Sequence, residues 1–313
     1  MIVTKPETLS LYEFFKRFPN EDAARKFFEG KRWPTGIGCP HCGSVSVSEC
    51  KDHRPMAYRC RDCRQHFSVR TGSVLGESRL PLQKWLMAIY MMTTARKGIP
   101  STQVARELGI TQKSAWFLCQ RIRETRLAKS SGASDTGPLS GEVEADETYI
   151  GGKEKNKHES KKLKAGRGTV GKAIVAGIKQ RGGSVVASVI PGTSTKTLQS
   201  FVRANVVGGS TLYTDEHAAY VGMPEYAHRA VKYSAKQYVD GMAHTNGIES
   251  FWALLKRGYY GIYHYVSVKH LDRYVGEFSN RHNTAGLSTL EFMGETAKGM
   301  AGRHISYKAL TDV

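Results

Sequence analysis

Three acidic side chains stand where a divalent cation could be held: Asp146 in GEVEADETYIGG, Asp215 in STLYTDEHAAY and Glu249 in HTNGIESFWALLKRG. Each closes, or lies just beyond, a stretch that reads as regular structure. Carboxylate oxygens suit Mg²⁺, a hard ion that keeps several waters and takes few ligands from protein. Two such ions held close together can clamp the attacking and leaving oxygens of an in-line phosphoryl transfer. Each acid also has a plainer reading. Asp146 ends the alternation Glu142-Val143-Glu144-Ala145-Asp146, and a period of two places Glu142, Glu144 and Asp146 on one strand face. Any of the three could then be a ligand. Asp215 could cap a helix. Asn246 and Glu249 have N-x-x-E spacing, in which the Glu bonds back to the cap and needs no metal.

A second constellation is thiol-based. Cys39 and Cys42 (CPHC) and Cys60 and Cys63 (CRDC) form two C-x₂-C pairs. Each pair sets two thiolates on a tight turn, and four complete a closed tetrahedral Zn²⁺ site of structural rather than catalytic type. His41 and Cys50 lie nearby and are not needed. Five of the six cysteines fall between Cys39 and Cys63, a clustering that points to metal rather than disulfides in a cytoplasmic protein.

The 313 residues carry 46 Lys and Arg against 28 Asp and Glu, a net charge of +18. That balance suits a polyanionic partner, since each neutralised phosphate releases counterions, although a solvated basic surface would count the same. No run approaches the roughly 20 apolar residues of a membrane span. The start lacks a basic segment followed by an apolar one, so a cytoplasmic location without membrane contact is expected.

These groups must be positioned by several elements. Residues 1–36 read as a helical lead-in, with Asn20 as N-cap and a stripe of Ala23, Ala24, Phe27 and Phe28 ending at Gly30. Residues 37–79 carry the ribbon. Residues 80–127 read as helical, and STQVARELGITQKSAWFLCQRIRETRL within them has a helix-turn-helix pattern. Ser101 or Thr102 would cap its first helix, Gly109 would make the turn and Thr111 would cap the second helix. Gln112, Lys113 and Ser114 would meet base edges, and Arg121, Arg123 and Arg126 would reach phosphates. An ordinary helical pair with a basic exterior is the blander alternative. Residues 128–141 read as a Ser/Gly-rich linker.

Residues 142–285 change to an α/β pattern. A strand at 142–150 precedes the basic run KEKNKHESKKLKAGRG, expected as an exposed loop. Two Val/Ile-rich strands joined at Gly182-Gly183 follow, then a crossover helix at 194–206 and a short strand at 210–214. A strand near 228–234 and helices at 246–257 and 267–282 close the domain. Pattern alone supports a mixed sheet with helices. Residues 286–313 show no motif.

Taken together, the CPHC…CRDC ribbon, ADETYIGGK, YTDEHAAY, HTNGIESFWALLKRGYYGIYHYVS and KHLDRYVGEFSNRHN resemble the zinc-ribbon DDE transposases of bacterial insertion sequences, the ISXO-two-like group related to Merlin elements. The resemblance runs from about residue 20 to 285. It implies a ribonuclease H-like α/β catalytic domain after the zinc ribbon and helix-turn-helix, with Asp146, Asp215 and Glu249 holding Mg²⁺ or Mn²⁺. It further implies binding of double-stranded DNA at terminal inverted repeats, cleavage that frees a 3′-OH, and joining of that 3′-OH to target DNA. The basic loop 153–168, Lys256 and Arg257 would hold DNA backbone. A homodimer or larger assembly on DNA, in a bacterial cytoplasm and near the nucleoid, is expected. A DNA-binding regulator or domesticated transposase with an idle catalytic fold would carry the same ribbon and reader. A structure-selective nuclease would cut without joining.

Overall fold

The computed structural model describes residues 6–312 apart from 51–52, 54, 127–136, 153–157, 163–168, 170 and 232–243. Most of the expected linker and most of the basic loop 153–168 therefore lie outside the described residues. The chain forms two compact units, Met1–Arg126 with Gly286–Val313, and Leu127–Ala285.

The first unit begins with α1 (Leu11–Arg17) and α2 (Glu21–Arg32). Asn20 caps α2 by accepting from the Ala23 N–H, as its side chain allows. The helix does not stop at Gly30 but runs to Arg32, where Trp33 closes it. Three short antiparallel strands follow: β1 (Val47–Glu49), β2 (Tyr58–Cys60) and β3 (His66–Phe67). Next come α3 (Leu82–Thr94), α4 (Ser101–Leu108) and α5 (Gln112–Glu124). Pro100 occupies the cap of α4, so neither Ser101 nor Thr102 fills it. Gly109 ends α4 at φ 58°, a left-handed conformation that glycine adopts without a Cβ penalty. Thr111 caps α5 by accepting from the Ser114 N–H.

Residues 286–313 are not a loose tail. They form α9 (Thr289–Lys298) and α10 (Tyr307–Thr311), which belong to the first unit. Met293, Ala297 and Met300 enter the same apolar core as Phe14, Phe28, Trp85, Ile89 and Ile122. The Thr289 N–H donates to the Glu7 carbonyl and the Leu9 N–H to Thr289 Oγ1, tying chain start to chain end.

The second unit is a five-stranded sheet ordered β6-β5-β4-β7-β8, built from β4 (Glu142–Ile150), β5 (Ala173–Gln180), β6 (Val185–Ile190), β7 (Thr211–Thr214) and β8 (Ala227–Ala230). β4, β5 and β6 form an antiparallel meander, while β7 pairs parallel with β4 and β8 parallel with β7. Parallel pairing needs a crossover, which α6 (Thr195–Asn205) supplies. The two sheet faces have separate cores. Val143, Ala145, Ala176 and Ile178 pack with Leu198 and Val202 of α6. Ile150 and Val175 pack with α7 (Asn246–Gly258) and α8 (Val268–Asn283). Asp272 and Asn283 of α8 hydrogen-bond the backbone of β6, which occupies a sheet edge and would otherwise present unpaired groups.

Candidate active site and zinc centre

The alternation along β4 turns Glu144 and Asp146 toward α7, and their partners separate the two. Glu144, 1% exposed, takes the Arg181 Nε at 3.1 Å on one oxygen and the Ile248 N–H at 2.9 Å on the other. Arg181 also reaches Glu142, at 3.4 Å. Among the described residues Asp146 has no such counter-ion: its Oδ2 accepts from the Trp252 indole N–H at 2.9 Å. Of three acids that sequence could not distinguish, two are thus paired with one half-buried arginine.

Asp215 follows β7. The parallel register pairs Glu144 with Tyr213, so continuing it by two residues brings Asp215 level with Asp146 on the neighbouring strand. The Asp215 Oδ1 accepts from the His217 N–H at 3.0 Å. Glu147, on the opposite face of β4, accepts from the Tyr220 hydroxyl at 2.9 Å. The Asp146 carboxyl is pushed up to about 7, first by burial and then by the charges of Glu147 and Asp215, with Trp252 pulling the other way. Burial, followed by the nearby Asp215, also raises Glu147, against the Tyr220 hydrogen bond. Among the described residues no salt bridge reaches Asp146 or Asp215. Carboxylates that repel one another with no protein cation between them form an all-oxygen donor set that fits a hard divalent ion.

Glu249 lies in the first turn of α7, exposed, and accepts from Thr245 Oγ1 at 3.1 Å. The helix starts at Asn246 with Thr245 as its cap, so the N-x-x-E capping spacing does not apply. Glu249 is three residues from Trp252, the residue that touches Asp146. The carboxylates of Asp146, Asp215 and Glu249 are not gathered as tightly as the four cysteine sulfurs, all within 4.8 Å of one another.

Gly177 pairs with Asp146 across the β4–β5 ladder. A Cβ there would lie 2.5 Å from Trp252 Cη2, so the glycine makes room for the indole that orients Asp146. Gly177→Ala should push Trp252 off Asp146 and destabilise the unit by about 1–3 kcal/mol, as overpacking does. An unchanged thermal transition and unchanged indole fluorescence would refute this.

In the ribbon, Cys39 and Cys63 sulfurs are 3.6 Å apart, as are those of Cys42 and Cys60. Zn–S bonds of about 2.3 Å in a tetrahedron require sulfurs about 3.8 Å apart, so the quartet fits zinc. The Cys60 thiol is lowered to about 7, chiefly by the Cys63 backbone N–H, which favours the thiolate a metal needs.

The reading helix is placed differently from expectation at its far end. Gln112 and Lys113 are exposed and Ser114 half-exposed at the start of α5. Arg121, Arg123 and Arg126, expected on phosphates, are buried at 4%, 2% and 6% exposure. Arg121 stacks at 5.2 Å on Trp85 and 5.1 Å on Phe117 and donates to the Gly76 carbonyl. Arg126 lies over Phe292 at 4.8 Å. Arg121 and Arg126 are thus held by aromatic and backbone groups of their own unit, their stems packed on apolar surface. Arg70, just after the ribbon strands, bonds the Ser78 and Leu80 carbonyls. Lys256 and Arg257 sit in the last turn of α7, half-exposed and exposed.

Comparison with known proteins agrees with this arrangement. Residues 138–283 match the ISXO2-like transposase domain, and residues 19–66 match the transposase zinc-ribbon domain. The ribbon match thus takes in α2, assigned by sequence to the lead-in. A protein of Halobacterium salinarum, described as an uncharacterized protein in transposable element ISH50, is 28% identical over 299 residues, covering 90% of this chain and 98% of that one. No solved structure matches. The chain thus carries, in order, regions similar to a transposase zinc ribbon and to an ISXO2-like transposase domain, and it is similar over most of its length to a transposable-element protein. Among its described residues no helix is long and apolar enough to cross a membrane.

Proposed function

We propose that this protein is a DNA transposase that cleaves element ends and joins the freed 3′-OH to target DNA. The observation that carries the reading is Asp146 on β4 with Asp215 just beyond the parallel neighbour β7, close enough for its charge to raise Asp146, and with no salt bridge to either among the described residues. The strand order β6-β5-β4-β7-β8, with its antiparallel meander and parallel additions, is the one expected of a ribonuclease H-like core. Asp146, Asp215 and Glu249 would hold the catalytic ions, Mg²⁺ or Mn²⁺. Bound there, such ions would activate the attacking oxygen and stabilise the leaving one in an in-line displacement. Each carboxylate is oriented by a donor: Asp146 by the Trp252 indole, Asp215 by the His217 N–H, Glu249 by the Thr245 hydroxyl.

The ribbon and the α4–α5 pair, read as a helix-turn-helix, would bind terminal inverted repeats of double-stranded DNA. Gln112, Lys113 and Ser114 would meet bases, while Lys256 and Arg257 would hold backbone. Handling two ends together calls for a homodimer or larger assembly on DNA, in the cytoplasm and at the nucleoid. The test is a strand-transfer assay with end DNA, target plasmid and Mg²⁺ or Mn²⁺. Asp215→Asn and Glu249→Gln should each lower joining at least about a thousandfold and leave end binding intact, the scale lost when groups acting as one catalytic unit are broken. Specific end binding by the wild type without metal-dependent nicking would favour the idle, DNA-binding reading. Nicking without joining would favour a nuclease.

A further inference from the structure

Glu144 is a buried anion that the proposed chemistry does not use. Retaining a buried ion pair is costly compared with an apolar filler, so what it holds is informative. One oxygen takes Arg181 Nε at 3.1 Å and lies 3.4 Å from His244 Nδ1; the other takes the Ile248 N–H at 2.9 Å. Arg181 donates onward to the His244 carbonyl at 2.9 Å, and Lys179 Nζ donates to the Gly247 carbonyl at 3.3 Å. Apart from the Arg181–Glu144 pair itself, each of these contacts ends on the segment entering α7 or on its first turn. A Cβ on Gly247 would stand 2.7 Å from Glu144 Oε2, so the glycine admits the carboxylate to the backbone. The anion also sits at the helix N-terminus, where the peptide dipoles favour it.

The second attachment of α7 to β4 is Trp252 Nε1 on Asp146. Two strand residues rise about 6.6 Å and four helical residues about 6 Å, so the pins at 144/248 and 146/252 match in spacing. Glu249 lies between them. We infer that Glu144, braced by Arg181, is a positioning residue that fixes the register of α7 on β4 and hence the point from which Glu249 faces Asp146 and Asp215. This inference rests on the proposed metal site.

The test uses the full chain. In the metal-free protein, hydrogen exchange at the first turn of α7 should quicken at least tenfold in Glu144→Ala and less in Glu144→Gln, which keeps one acceptor. By calorimetry, the Kd for Mn²⁺ should rise at least tenfold in Glu144→Ala. In a Glu249→Gln background the same change should add nothing, because Glu144 acts through Glu249. Gly247→Ala, which leaves every charge in place, carries the same test where Glu144→Ala does not fold. Wild-type exchange and Mn²⁺ affinity in the folded variants would overturn the inference, as would an equal loss in the Glu249→Gln background. A wild-type chain that binds no Mn²⁺ overturns the proposed metal site instead.

Discussion

Asp146→Asn should raise the melting temperature of the second unit at neutral pH, without divalent ions, by about 5–10 °C, while ending DNA joining. The gain follows from the carboxyl being pushed up to about 7 by burial, Glu147 and Asp215. An unfolded Asp ionises near its ordinary value of about 3.9. Between about pH 4 and pH 7 the folded chain therefore keeps a proton that the unfolded chain has released. More protons bound in the native state means that stability falls as pH rises through this window. Above it the ionised Asp146 costs roughly 2–4 kcal/mol, at about 1.4 kcal/mol for each pH unit of displacement. Asn cannot ionise, so the variant should lose most of that slope, the remainder coming from Glu147, raised in the same direction.

The same proton links stability to the metal. A divalent ion must displace it, so affinity for Mg²⁺ or Mn²⁺ should climb as pH rises toward about 7 and then level off. Thermal melts from pH 4 to pH 8, with and without Mn²⁺, decide the matter. A wild-type curve that is flat across the window, or an Asp146→Asn protein no more stable than wild type at pH 7.5, would remove the electrostatic basis of the site. Loss of function with gain of stability is the pattern expected where like charges are held together for chemistry.

What could be read from residues alone was mostly what is local. The paired C-x₂-C motifs, the caps at Asn20 and Thr111, the Gly109 turn and the Gly182-Gly183 hairpin depend on near neighbours, and each stands where its spacing puts it. Choosing among Glu142, Glu144 and Asp146 depended on Arg181, which reaches the first two from just beyond the end of β5. A period of two names a face, not which member of that face finds a counter-ion. The burial of Arg121, Arg123 and Arg126 was hidden from sequence for a related reason. Arg121 is covered by Trp85 and Gly76 and Arg126 by Phe292, the last from a segment that returns at the end of the chain. That segment did carry a signal: Met293, Ala297 and Met300 are spaced for one helical face, and the absence of a chemical motif hid a packing one.

Stripping zinc should have the largest effect on the first unit. The ribbon's own core holds Cys39, Tyr58, Cys60 and Phe67 as its buried residues, and two of those are ligands. Three strands of two or three residues cannot stand on so little apolar burial. The metal must supply the folding energy, and structural zinc sites of this type contribute about 10–16 kcal/mol. Without the ion, four thiols crowd together: Cys42 and Cys63 are raised while Cys60 is lowered, so the quartet cannot ionise together. The protein should therefore carry one zinc per chain, and Cys60→Ser should lose it. A strong chelator in reducing buffer should unfold the region around β1–β3, seen as rapid hydrogen exchange from Val47 to Phe67. The second unit has its own cores and none of the zinc ligands, so its pH-dependent transition should persist. Full zinc content in Cys60→Ser, or an unaltered exchange pattern after chelation, would show that the four sulfurs are packed without a metal's help.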